Sequence, residues 1–336
     1  MSYVYTVARL RAMENRFLDT SFFSRLIDCV TLEEALKSLG ETVYAQWIVG
    51  AGTNSGEVNF DKVIDEELIA SCEDLARFVP DKGLLSIARM PYDFNNVKVV
   101  LKSLFRAKDG GERHYDLLSR MGAVDANQLI MLMEGEEYGF LPYGLGDVIP
   151  LCWTIWDQTK NSQSIEVLLD GAMFRAMRSL AEELKMPEVV RWVRCKIDAE
   201  NLRSAVRLAR MNYDSTAGRP FFHDGGMMDP GAVAKLLAEP LESWGKTLSH
   251  LDIAAAFEGL QDRSDVQTLL SEISKALDGY LIRVLEKAKY SSSAPENVIL
   301  YLLRKEEEAR NLRIALVCVA NDLNRELARR LLSHAR

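Results

Sequence analysis

The segment Asp93-Phe94-Asn95-Asn96-Val97-Lys98 has two counterparts further along this chain. They are Asp198-Ala199-Glu200-Asn201-Leu202-Arg203 and Glu308-Ala309-Arg310-Asn311-Leu312-Arg313. Each segment begins with an acid and has Asn three residues later, followed by an aliphatic residue and a base. The three Asn residues lie 105 and 110 residues apart. This spacing indicates three copies of one unit of about 100 residues, longer than a tetratricopeptide or HEAT repeat.

Two further features recur in the same order. An acid precedes each Asn by 31 or 33 residues, in the pairs Asp65 with Asn96, Asp170 with Asn201 and Asp278 with Asn311. A weaker echo comes earlier still, in Leu32-Glu33-Glu34-Ala35-Leu36, Ala126-Asn127-Gln128-Leu129-Ile130 and Gly231-Ala232-Val233-Ala234-Lys235. Stretches rich in helix breakers at 109–112 and 216–231 fall between the copies, where linkers are expected. The sequence therefore predicts helical modules at residues 1–108, 109–215 and 216–336.

Helix is the dominant local signal, because apolar residues recur at spacings of three and four in many windows. One predicted helix face carries Leu269, Ile273, Leu277, Leu281 and Leu285. No stretch gives a convincing series of alternating strands, so the predicted fold class is all-α. Three similar helical domains joined by short linkers can stack in a line or close into a ring with approximate three-fold symmetry.

The repeated acid and Asn lie on one helix stripe, since positions i and i+3 share a face. Asn is a poor helix former, and its return in all three copies predicts a partner for its amide. One interpretation is structural, with each acid–Asn pair tying helices together inside its own module. The other is that the three stripes face a common opening and contact a partner. The residues concerned are Asp93, Asn96, Asp198, Asn201, Glu308 and Asn311.

Composition excludes several classes of protein. Apolar residues make up 48% of the 336 positions and charged residues 27%, which is ordinary for a folded globular chain. The net charge of −8 argues against a nucleic-acid surface. The five cysteines are scattered, which predicts reduced and mostly buried thiols. The longest apolar stretches, such as Val148 to Trp156, have about half the length that crosses a bilayer.

Motifs for catalysis, cofactors or metals are not convincing anywhere in the sequence. Gly245-Lys246-Thr247 has the end of a phosphate-binding loop, but the required earlier glycine is Pro240 and the preceding residues are helical in pattern. The glycine-rich stretch from Gly50 to Asn59 follows no strand and is interpreted as a flexible loop. The four histidines lack metal-ligand spacing. We therefore expect no catalytic, cofactor-binding or metal-binding residue.

Three parts of the chain resemble one protein family. They are the N-terminal Tyr3-Val4-Tyr5-Thr6-Val7-Ala8-Arg9-Leu10-Arg11-Ala12, the stretch from Pro91 to Lys102, and the threefold acid–Asn repeat. Together they resemble the C subunit of V-type (archaeal and bacterial A/V-type) ATP synthases, whose counterpart in the vacuolar ATPase is the d subunit. The resemblance covers essentially the whole chain.

This resemblance implies a funnel of three similar helical domains with pseudo-three-fold symmetry. It implies a non-catalytic rotor subunit on the cytoplasmic face of the membrane, bound to the central-shaft subunits and to the proteolipid ring. Such a protein transmits torque for H⁺ or Na⁺ transport linked to ATP hydrolysis or synthesis, and it needs no cofactor or membrane span. Tyr3, Tyr5, Arg9 and Arg11 form an aromatic and basic N-terminal stripe, a possible partner contact that an ordinary amphipathic helix explains as well.

Two other classes of function compete with the rotor subunit. One is a helical repeat scaffold that binds peptides or proteins in a groove. The other is a helical enzyme acting in the central opening, which predicts clustered ionisable groups with perturbed pKa values there. Binding to a coiled-coil shaft and to a proteolipid ring distinguishes the rotor subunit from the scaffold.

Overall fold

A computed structural model describes residues 2–49, 59–257 and 266–332 of the chain. These residues form α-helices and short 3-10 turns, with no β-strand among them, so the all-α prediction is confirmed. The α-helices, in chain order, are α1 (Tyr3–Glu14), α2 (Thr20–Asp28), α3 (Leu32–Leu39), α4 (Ala45–Ile48), α5 (Phe60–Phe78), α6 (Lys82–Lys108), α7 (Ala126–Glu134), α8 (Leu145–Thr159), α9 (Ser162–Glu183), α10 (Pro187–Arg210), α11 (Ser215–Gly218), α12 (Pro230–Leu236), α13 (Trp244–Thr247), α14 (Val266–Leu285), α15 (Glu296–Ala320) and α16 (Arg325–Leu331).

The chain divides into two compact units, one of which joins the two ends of the sequence. This first unit contains residues 1–82 and 285–336. Helix α15 is its centre and packs against α1, α2, α3, α5 and α16. Such a helix must be apolar on several faces, and α15 accordingly buries Leu300, Leu312 and Leu316.

The second unit contains residues 83–284. Helix α9 packs against α8 and α10, and α10 also packs against α12. Around α10 lies an apolar core in which Trp244 and Leu277 are fully buried. At the end of α6, the ring of Phe105 stacks on Trp156 of α8 with 4.5 Å between ring centroids.

The predicted apolar face of α14 is confirmed, because Leu269, Ile273, Leu277, Leu281 and Leu285 are all buried. Cys72, Cys152, Cys195 and Cys318 are buried and all five cysteines are free, while Cys29 is partly exposed.

The module boundaries at 108/109 and 215/216 stay a prediction, as does the funnel. The glycine-rich stretch from Gly50 to Asn59 lies, apart from Asn59, outside the described residues. No helix within the described ranges combines the length and hydrophobicity needed to cross a bilayer.

Short helices are started by side chains that cap them. Asp19, Asp125 and Asp229 precede α2, α7 and α12, and each carboxylate accepts hydrogen bonds from backbone N–H groups of the first turn. A cap of this kind stabilises a helix by about 1 kcal/mol. The three capped helices each follow an irregular loop, and those loops are where the repeated motif acts.

We expect Leu277→Ala to lower the free energy of unfolding by about 2–5 kcal/mol, since it leaves a cavity in the core around α10. Leu270 on the same helix is only partly buried, so Leu270→Ala should cost distinctly less. Urea denaturation of both variants measures the difference. Equal losses at the two positions would contradict the observed orientation of α14.

Candidate functional site: the acid–Asn motif and the N-terminal helix

All six side chains of the repeated motif are buried. Their exposed fractions lie between 0% and 5%, for Asp93, Asn96, Asp198, Asn201, Glu308 and Asn311. Polar groups removed from water need hydrogen-bond partners, or each costs about 1–3 kcal/mol. The partners observed for the motif belong to this chain, and most of them are backbone groups of the loops.

The Asn side chain forms a reciprocal pair with the backbone of one loop residue. Asn96 donates from Nδ2 to the carbonyl of Ser119 at 2.8 Å, and its Oδ1 accepts from the N–H of Ser119 at 2.8 Å. Asn201 pairs with His223 in the same way, at 2.9 Å and 2.7 Å. An amide is the side chain that can do this, because it offers a donor and an acceptor side by side. Asn311 is equally buried and also has an interaction partner.

The acid of the motif holds the same loop five residues further on. Asp93 accepts at Oδ1 from the N–H of Val124 at 2.9 Å. Asp198 accepts from the N–H groups of Met227 and Met228, at 2.9 and 3.1 Å. Val124 and Met228 each precede the Asp that caps the next helix. Acid and Asn together therefore fix the whole loop that leads into α7 or α12.

In the third copy, Glu308 holds a loop from the other end of the sequence. Its Oε2 accepts from the N–H of Leu18 at 2.7 Å, and Leu18 precedes Asp19, the cap of α2. The helix entered from the held loop is thus α2, whereas the echo beginning at Leu32 predicts the equivalent position on α3. In the first of its three segments, the weak echo is therefore wrong by one helix. The copy is completed by chain segments that are 290 residues apart.

The third copy also has a buried ionic cluster. Lys305 is 3% exposed and lies 2.8 Å from Glu308 and 3.2 Å from Glu67 of α5. Tyr44 donates to Glu308 at 2.7 Å and Trp47 donates to Glu67 at 2.8 Å. Hydrogen bonds of this number are what make a buried ion pair tolerable, because desolvation alone costs several kcal/mol per ion.

The other two copies have apolar residues where the third has its lysine. Three residues before each acid stand Met90, Cys195 and Lys305, all of them buried. In the third copy, the acid is also one methylene longer, Glu in place of Asp. The carboxylate of Glu308 consequently reaches Lys305 and Tyr44 as well as the loop.

Glycine is required where the first two loops pass the acid. A Cβ built on Gly122 would lie 2.5 Å from Oδ1 of Asp93, and one built on Gly226 would lie 2.1 Å from Oδ1 of Asp198. Arg89 and Arg194, each four residues before its acid, donate to the carbonyls of Gly122 and Gly226. The sequence signals that could have revealed this arrangement are the repeated spacing of Arg before the acid and the shared Gly before the capping Asp.

The base of each motif pairs with the upstream acid of the next copy. Lys98 lies 2.6 Å from Asp170 of α9, and Arg203 pairs with Asp278 of α14. Arg313 pairs with Asp65 of α5, so the order runs from the first copy to the second, from the second to the third, and from the third to the first. The motif base and the upstream acid, which both recur in the sequence, thus form ion pairs, and each pair joins two consecutive copies.

Burial raises the pKa values of the motif acids in the first two copies. It raises the pKa of Asp93 and that of Asp198 to about 6 each, although the backbone N–H groups of Val124 or Met228 and Met227 act in the opposite direction. Both carboxylates are nearly inaccessible to solvent. Their perturbed pKa therefore results from their structural position between helix and loop.

The N-terminal stripe is largely engaged inside the first unit. Tyr3 donates to Asp81 at 2.7 Å. The guanidinium of Arg9 lies 4.3 Å from the ring centre of Phe78. Arg11 donates to the carbonyls of Lys289 and Ser291, both at 3.1 Å. Tyr5 is half exposed.

Three other candidate sites are a phosphate-loop-like segment, a group of metal ligands and a cavity. The phosphate-loop-like Gly245-Lys246-Thr247 lies on α13, and the residues before it are helical as expected. Within the described ranges, no group of three His, Cys, Asp or Glu side chains could hold a metal ion. A cavity of about 310 Å³ in the first unit borders the ionic cluster, with Trp47, Glu67 and Lys305 in its wall.

We expect Asn201→Ala to lower the free energy of unfolding by on the order of 3 kcal/mol, because it leaves the buried N–H and carbonyl of His223 without their partner. Asn127 is exposed on the first turn of α7, and Asn127→Ala should change stability by less than about 0.5 kcal/mol. Chemical denaturation compares the two. A loss at Asn201 no larger than at Asn127 would show that the reciprocal pair is dispensable.

A second prediction concerns the two acids. Asp198 receives two N–H bonds, one at each oxygen, whereas Asp93 receives one and its Oδ2 is buried without a bond to the described residues. Asp198→Asn should therefore cost about 1–3 kcal/mol at pH 7, since its new amide group faces an N–H. Asp93→Asn should cost less, and urea denaturation of the two variants compares them.

The pH dependence of these variants has a defined sign. A pKa of about 6 in the folded state, above the ordinary value of 3.8, means that folding takes up protons. The contribution of each acid to stability is then largest below about pH 4 and is lost as pH rises through 6. The stability of the unmodified chain relative to either Asn variant should fall between pH 4 and pH 7. A constant difference across this range would contradict the raised pKa.

Comparison with known proteins gives one consistent result. Residues 6–331 match the family model described as the ATP synthase (C/AC39) subunit. The chain is 23% identical to the C subunit of the A-type ATP synthase of Desulfurococcus sp. (strain SY), with 98% of this chain and 90% of the relative covered. It is 25% identical to the C subunit of the V-type ATP synthase of Thermus thermophilus, covering 93% and 92%.

A third relative is the C subunit of the V-type sodium ATPase of Enterococcus hirae, with 20% identity over 94% of each chain. The family model spans both compact units and all three copies of the motif. The chain therefore belongs to the ATP synthase (C/AC39) subunit family, which includes the C subunits of A- and V-type ATP synthases.

Proposed function

We propose that this chain is the non-catalytic rotor subunit that couples the central shaft of a V-type ATP synthase or ATPase to the proteolipid ring in the membrane. The match of residues 6–331 to the subunit family carries this proposal. In it, the chain lies peripherally on the cytoplasmic face and transmits torque for H⁺ or Na⁺ transport. The names of the relatives include both an ATP synthase and a sodium ATPase.

The repeated contacts support a closed arrangement of three modules. Each motif base pairs with the acid of the following copy, and the third copy returns to the first. A cyclic order of this kind suits a funnel around an axis, in which three similar bodies surround the end of a shaft. The funnel and its three domains are part of the proposal.

A torque coupler must be stiff, and the described contacts favour stiffness. Loops are usually the most mobile parts of a helical protein. Here the loop before α2 is bonded by the buried acid Glu308 of a long helix. The loops before α7 and α12 are each bonded by a buried acid and a buried Asn of a long helix. Closely packed helices with fixed loops transmit strain with little deformation.

The two acids with raised pKa values support a structural role for the motif more than a catalytic one. Asp93 and Asp198 accept backbone N–H bonds and are 2% and 3% exposed. A catalytic acid or base has to reach its substrate, and these carboxylates face loop backbone instead.

The test is titration calorimetry of the purified full chain with the central-shaft subunits encoded in the same genome, and separately with the proteolipid ring in lipid nanodiscs. We expect saturable one-to-one binding to the shaft and binding to the ring. In reconstituted vesicles, omission of the chain should abolish ATP-driven ion transport while the soluble head still hydrolyses ATP.

Circular dichroism provides the control that the chain is folded and helical. Failure of a folded chain to bind either partner would overturn the rotor assignment. Binding of unrelated peptides with comparable affinity would favour the alternative, a helical repeat scaffold. Loss of ATP hydrolysis along with transport would contradict a purely coupling role.

A further inference from the structure

The side chain of His223 is not needed for the structural role that the repeat gives to its backbone. Asn201 bonds the carbonyl and the N–H of His223, and in the first copy Asn96 bonds the same two groups of Ser119. Ser119 and His223 each lie six residues before the Asp that caps the next helix. Since a serine fills this position in the first copy, the repeat leaves the imidazole of His223 unexplained.

The imidazole is packed against helix α9 and largely removed from solvent. His223 is 8% exposed, and its ring centre lies 5.2 Å from that of Phe174. Its Nδ1 lies beside Gly171, where an added Cβ would be 3.5 Å away. A cavity of about 200 Å³ borders His223, and its wall includes the exposed residues Gln163 and Arg207. Solvent protons can therefore reach a ring that is otherwise enclosed.

The carboxylates near this imidazole are already paired with bases. Asp170 of α9 and Glu200 of α10 act on His223 electrostatically and line the same cavity. Asp170 lies 2.6 Å from Lys98, and Glu200 lies 3.1 Å from Arg203. Lys98 and Arg203 are the motif bases that join the first copy to the second and the second to the third. The imidazole thus lies beside acids that hold both of these bases.

A proton on His223 adds positive charge to a site without surplus acid. Among the described residues, the charged groups that act on the ring or line its cavity are Lys98 of α6, Glu166, Asp170 and Arg175 of α9, and Glu200 and Arg207 of α10. Lys102 of α6 also pairs with Glu166, and Asp224, next to His223 in sequence, pairs with Arg219. Three acids therefore face at least three bases before His223 is charged.

The fold accordingly favours the neutral imidazole. Burial lowers the pKa of His223 below its ordinary value of 6.5, and Lys98 and Arg175 act in the same direction, while Asp170 and Glu200 oppose them. A lowered pKa means that the folded state binds this proton less readily than the unfolded state does. The contribution of His223 to stability is then fully present above pH 6.5 and is lost as pH falls through 6.5 toward the lowered pKa.

We propose that His223 is a pH-sensitive switch for the segment 219–229, which leads from α11 into α12. The neutral imidazole keeps this segment on α9 and α10, and protonation releases it. Release breaks the bonds of Asn201 to His223 and those of Asp198 to the backbone further along the segment. Helix α12 starts from this segment and packs against α10, so release loosens the third copy from the second. The inference concerns the chain alone and goes beyond the proposed function.

Hydrogen exchange of the full chain at about pH 7.5 and about pH 5, corrected for the intrinsic effect of pH, measures this release. We expect the amides of segment 219–229 to lose protection on the order of five- to tenfold at the lower pH. In His223→Gln, which has no charge to gain, they should keep their protection. His223→Ser is a second uncharged variant that matches the first copy. Asp198 titrates in the same range with the opposite sign, but it is present in all these chains, so their comparison isolates His223.

His250→Gln is the matched control, because His250 is exposed. This variant should lose protection in segment 219–229 at the lower pH as the unmodified chain does. Equal losses in the unmodified chain and in the folded His223 variants would overturn the switch. So would a nuclear magnetic resonance titration in which the imidazole of His223 takes up its proton at or above pH 6.5. Failure of the chain to bind the shaft or the ring would overturn the proposed function and leave this inference standing.

Discussion

The structure depends on a buried side-chain amide that pairs with both polar groups of one loop residue. An irregular loop that enters a helical core has backbone N–H and carbonyl groups that no helix satisfies. Asn96 and Asn201 satisfy them at Ser119 and His223, and the neighbouring acid satisfies the loop again where the next helix begins. With these bonds, the short capped helices have a defined starting point on each long helix.

In the third copy, the loop is held by an acid that also belongs to a buried ionic cluster. Glu308 reaches the loop at Leu18, and its longer side chain also accepts from Tyr44 and Lys305. The positive charge of Lys305 is balanced by Glu67 on α5. This copy consists of both ends of the chain, so its contacts also hold the first 82 residues to the last 52. Removing one partner of this cluster would leave the others buried and unpaired, which costs about 3–5 kcal/mol.

Function in a rotary complex would use these features together. The motif holds the loops, and the ion pairs join consecutive copies. A repeated framework of this kind suits the stiff coupler that the proposed function requires.

The sequence by itself determined the helical class, the apolar face of α14, the threefold motif and the family. These follow from local spacing, since residues three or four apart share a helix face wherever the helix is placed. It could not decide between a structural and a partner-facing role for the motif, and it placed one member of the weak echo on α3 rather than α2. Only the tertiary structure brought Glu308 to Leu18 and paired each base with the acid of the next copy. Contacts between residues 290 or 248 positions apart depend on how the chain closes, and no local pattern specifies that.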